Sequence, residues 1–249
     1  MPVRTALAVA LALFISVANI AAAQDDAPVQ LDKVTTEHHG VTSVMPYAVI
    51  NRVISQLELY GEGLVRFEFK LAPADPKKPL VAPTLALQHP DFYRPLPVQA
   101  DGSVQLPILP AEQAADADVV SNQAKGTMKV MGTIKLTVKP DELDMAKVRK
   151  IMSVAETLRS KMLPWYLRML APQMDGITIC SARPEWELQW REKGQLWGVP
   201  LPVDPGTSDP DAAAGQPPRV CAVLTGKERW RDDARLVAPP DATLNVKLR

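Results

Sequence analysis

Few residues of this 249-residue chain combine type and spacing in a way that does chemistry. Glu37-His38-His39 holds two of the three histidines. Adjacent imidazoles bind a metal when a third and fourth donor converge on them. No other His or Cys lies nearby in sequence, so the pair reads as part of a solvated segment and no metal is assigned. His89, followed by Pro90-Asp91, sets a base beside an acid, but the turn-rich surroundings make it an exposed loop histidine. Ser121 and Ser181 have no adjacent base, and neither the nucleophile-elbow pattern nor a phosphate-cradling glycine loop occurs. The carboxylates Glu185, Glu187, Asp232 and Asp233 offer material for a glycosidase-type pair, which depends on a separation in space. No catalytic residue and no cofactor are assigned.

Binding chemistry has better candidates. All five tryptophans lie at or beyond residue 165. Trp186, Trp190 and Trp197 lie where aromatic faces make either a ligand platform or the core of a small subdomain. Phe92-Tyr93-Arg94 sits between prolines in an expected loop, and an exposed aromatic-plus-Arg cluster is what interface anchors look like. Cys180 and Cys221 are the only cysteines. In an oxidising compartment the default is one disulfide, closing a loop of about 40 residues worth roughly 3–4 kcal/mol in the chain-entropy model, and two free thiols are the alternative.

That compartment is read from the N-terminus. Arg4, the apolar run Thr5–Ala18 and Ala21-Ala22-Ala23 before Gln24 have the pattern of a secretory signal peptide over residues 1–23. Periplasmic or secreted localisation follows, with no membrane span after cleavage. Lys+Arg and Asp+Glu number 28 each, which leaves no electrostatic footprint for nucleic acid. The 24 prolines favour short strands and turns over a helical bundle.

Periodicity then supplies the elements. Residues 24–45 read as a flexible lead-in, and Val49, Ile50, Val53, Ile54 and Leu57 space a helix over 46–60. Val65–Leu71 alternates as a half-buried strand, Leu85–Leu87 as a short one, and 98–109 as a hairpin turning at Asp101-Gly102. Thr127–Val138 is the longest strand, with Gly132 interrupting its inner face at a bulge or a close approach of backbone. Pro140-Asp141-Glu142 opens a helix of about 22 residues over 140–162, and Pro164 ends or kinks it before a short helix at 165–170. Within 172–249, a Lys193-Gly194 turn sets Trp190 opposite Trp197, Leu188 opposite Val199 and Trp186 opposite Leu201. Residues 203–218 read as an exposed loop, and 219–225 and 243–248 as closing strands.

Asp101-Gly102 with Val104-Gln105-Leu106-Pro107, and Ser121-Asn122 leading through Lys125-Gly126 into the long strand, loosely resemble prealbumin-like and carboxypeptidase-regulatory β-sandwich domains. That likeness covers under a third of the chain and transfers no functional residue. The expected fold class is α+β: a small antiparallel β-sandwich-like region within 46–139, one long helix within 140–171, and a Trp-rich, disulfide-tied β region over 172–249. The chain resembles an exported bacterial protein. The favoured expectation is a non-catalytic binding or accessory protein of the cell envelope, with a protein or glycan as partner. A hydrolase acting on glycan or peptide through carboxylates, and a subunit of an envelope assembly, are the alternatives.

Overall fold

The computed structural model describes residues 41–212 and 218–249. The expected signal peptide and Glu37-His38-His39 lie outside them. In chain order, β1 (Thr42–Pro46) leads into α1 (Tyr47–Tyr60), then β2 (Val65–Pro73), β3 (Leu85–His89), β4 (Phe92–Leu96) and β5 (Ser103–Val104). A five-residue helix α2 (Ala111–Ala115) precedes β6 (Asp118–Ser121) and β7 (Met128–Leu136), and α3 (Met145–Met162) follows. The chain closes with β8 (Met174–Ser181), β9 (Glu187–Glu192), β10 (Gln195–Pro200), β11 (Val220–Leu224), β12 (Arg235–Val237) and β13 (Thr243–Leu248).

The α+β class holds, but the described strands form four small antiparallel sheets and not a clear sandwich. Their orders are β1-β6-β3-β4, β5-β2-β7, β11-β8-β13 and β10-β9-β12. Two apolar clusters underlie them. One gathers α3 residues Val148, Ile151 and Val154 against Ile177, Ile179, Trp186, Leu188 and Leu236. The other centres on Tyr47, Phe69, Leu87 and Val119. Phe67 touches both. Beside it, β2 and β7 run in register for nine pairs, from Val65↔Leu136 to Pro73↔Met128. A Cβ at position 132 would stand 2.5 Å from Phe67 Cζ, so Gly132 marks a close approach of a ring to the backbone.

The expected 22-residue helix over 140–162 is corrected. Pro140–Glu142 forms a single 3-10 turn, and the α-helix is the 18-residue segment Met145–Met162. Long-range pairing breaks the helical run. Leu236 N–H donates to Leu143 O at 2.8 Å, and Met145 N–H donates to Ala234 O at 3.0 Å, so Leu143 and Asp144 are held extended against β12. Asp144 then caps α3, its Oδ1 accepting Lys147 N–H at 2.7 Å. Past Pro164 the chain makes turns, with Leu167 N–H donating to Pro164 O and Leu170 N–H to Leu167 O, and no second helix forms.

The disulfide between Cys180 and Cys221 is present. The two residues are directly opposite in the β8–β11 ladder, with Cα atoms 4.1 Å apart, and both are fully buried. Behind the bond, Arg219 Nη2 donates to Cys180 O and Asp241 O, both at 2.7 Å. Its Nε lies 3.1 Å from Asp209 Oδ2, off the hydrogen-bond axis, so that contact is ionic. Residues 203–212 are strapped to the sheets by Asp209–Arg219, Asp211–Lys135 and Asp204–Lys247. No helix among the described residues is long and apolar enough to cross a membrane.

Candidate functional site

Strand alternation divides the residues of the β10-β9-β12 sheet between two faces. The ladder pairs Trp197 with Trp190 and Val199 with Leu188, and Leu201 N–H reaches Trp186 O at 3.2 Å. Lys193 and Gly194, with φ of 49° and 83°, make the two-residue turn that this register needs. The six residues of that face grade from core to solvent. Trp186 is 2% exposed, with its Nε1–H donating to Leu201 O at 3.2 Å, whereas Trp197 is 50% exposed. Between them Trp190 is half-buried and tilts against Trp230 with ring centroids 6.1 Å apart. The three indoles therefore form no open stacking plane.

The opposite face carries Gln189 paired with Arg235, Arg191 with Leu196, and Glu187 with Val237. It floors a cavity of about 980 Å³. The 3-10 turn contributes Lys139, Pro140 and Asp141 to one wall, and the run Ala238-Pro239-Pro240 with Ala242 supplies another. Lys139, Arg191 and Arg235 form no ion pair among the described residues. Asp233, also on the wall, is already held by Arg231, whose Nε donates at 2.8 Å and keeps the carboxyl below its usual range. The cavity thus offers three cations and one carboxylate, Asp141, that form no ion pair among the described residues, beside apolar Leu196, Val237, Ala238 and prolines. Trp190 borders it, with Nε1–H buried and lacking an acceptor among the described residues.

Phe92-Tyr93-Arg94 lies elsewhere, on the second apolar cluster. It is strand, not loop: β4 pairs along β3 from His89↔Phe92 to Leu85↔Leu96 and forms the edge of its sheet. Prolines are tolerated on an edge, which is how Pro95 fits opposite Ala86. The Arg94 guanidinium stands 5.6 Å over the Phe92 ring, and Phe92 stacks on His89 at 4.7 Å. Tyr93 is half-exposed. His89 is a packed side chain whose Nδ1 accepts Asp91 N–H at 3.1 Å, not the exposed loop histidine expected.

The carboxylates considered for hydrolysis each have a separate partner. Asp232 is ion-paired with Arg149, Asp233 with Arg231 and Glu185 with Arg183, while Glu187 accepts from the Gln189 amide. No group of three His, Cys, Asp or Glu among the described residues is arranged to hold a metal. Lys139, Arg191 and Arg235 escaped the sequence reading because the segments that carry them meet only in the fold. Against protein-family models, curated proteins and solved structures, the chain has no match.

Proposed function

We propose that this is a non-catalytic binding protein of an extracytoplasmic compartment, holding a carboxylate-bearing glycan or peptide fragment of the envelope in the cavity over β9, β10 and β12. The observation that carries the reading is the set Lys139, Arg191 and Arg235, three cations with no acid partner among the described residues, beside apolar Leu196 and Val237. Arginine forks recognise carboxylates in two-point fashion. The buried disulfide fits the compartment, since such bonds persist where thiols are not kept reduced. The scattering of the acids among separate partners gives the hydrolase alternative no comparable support.

The test is a calorimetric titration with a carboxylate-bearing muropeptide, at low and high salt. Binding that weakens with salt, and by about tenfold (about 1.4 kcal/mol) or more in Arg191→Ala/Arg235→Ala, is the expected result. No binding by the wild type, or equal binding by the variant, would overturn the reading.

A further inference from the structure

The segment after α3 presents a different surface. Of its residues, Trp165, Tyr166, Leu167, Met169 and Leu170 are between 40% and 89% exposed, with Trp165 at 78%. Five large apolar side chains within six residues expose on the order of 600 Å², at the upper end of the largest patch on an ordinary soluble monomer. The loop is braced for this display. Arg168 Nε donates to Leu163 O at 3.0 Å and its Nη2 to Ser160 O at 2.5 Å, while Arg159 Nη2 reaches back to Arg168 O. Trp165 and Tyr166 meet edge to face at 5.9 Å. Two arginines thus hold the backbone while the apolar side chains point away from the protein.

We infer that this loop is a wedge that docks the protein on an anionic lipid surface, independently of the cavity. Charge complementarity decides the occupant. Lys161 and Arg168, at the foot of the loop, have no acid partner among the described residues, and the Lys161 ammonium lies 5.7 Å from the Tyr60 ring. Arg159, whose guanidinium reaches Arg168 O, faces a single acid, Glu156. Trp and Tyr favour the headgroup level, Leu and Met the acyl boundary, and basic side chains the lipid phosphates. A bilayer accepts projecting side chains without a preformed pocket, whereas a protein partner needs a matched groove for each.

The exported, disulfide-bonded protein is sedimented with vesicles of phosphatidylcholine alone and of phosphatidylcholine with an equal share of phosphatidylglycerol. It pellets with the anionic vesicles, and Trp165→Ser/Met169→Ser/Leu170→Ser lowers the partition coefficient about tenfold at an unchanged thermal midpoint. Lys161→Glu lowers it less and flattens its salt dependence. Failure of the wild type to pellet, or equal pelleting of the triple variant, would overturn the inference. So would a wild-type dimer that the triple variant turns into a monomer, because a second copy would then cover the loop.

Discussion

Asp204 and Asp209 sit five residues apart and stabilise one segment by different means. Asp204 is partly exposed and accepts from Lys247 Nζ at 2.6 Å, Thr207 Oγ1 at 2.6 Å and Gly206 N–H at 3.0 Å, and these donors pull its carboxyl down to about 2. The ordinary value is 3.8. A carboxyl lowered by folding contributes stability above its unfolded value and loses it as protons bind the folded form. Wild-type thermal midpoints should therefore fall between about pH 4 and pH 2 by more than those of Asp204→Asn, measured by circular dichroism. Asp209 is buried against Arg219, itself mostly buried and hydrogen-bonded behind the disulfide. Asp209→Ala removes the buried ion-pair partner while Nη2 keeps its carbonyl acceptors, and a loss of about 1–3 kcal/mol in urea unfolding is expected. A loss under about 1 kcal/mol would mean that water replaces the carboxylate.

At the scale of elements, α3 is the clearest case of a boundary set by distant chain. Asp144→Ala removes the acceptor for Lys147 N–H and should cost about 1 kcal/mol, seen as a lower urea midpoint at unchanged slope. Gly132→Val should cost about 1–3 kcal/mol or more, because its Cβ has no place beside the Phe67 ring; combining it with Phe67→Ala should recover part of that loss. Local chemistry made other elements readable beforehand. The Trp hairpin follows from two-residue alternation and a Lys193-Gly194 turn, both contained in 16 residues of sequence from Trp186 to Leu201. The helix start at 145 was not readable, because Pro140-Asp141-Glu142 carries good helix-opening chemistry and is overruled by Ala234 and Leu236. The strand character of Phe92–Leu96 was hidden by flanking prolines that only an edge position tolerates. The cavity had no local signature, since its walls come from segments near 140, 190 and 238.

Over the whole molecule, the disulfide joins the segments on either side of the Trp hairpin and its following loop. Reduction should lower stability by about 4 kcal/mol, the loop-closure value for a sequence separation of 41, read as the shift in chemical unfolding with and without reductant. The cross-link stabilises the region whose outer sheet face carries Arg191 and Arg235, so reduction should also weaken ligand binding at the cavity. The most direct test of the binding account is a hydrogen-exchange footprint of the wild type with the muropeptide bound. The account predicts slowed exchange at residues 189–191 and 235–242, with β4 unchanged. Slowed exchange on β4 alone, or no change anywhere at saturating ligand, would contradict it.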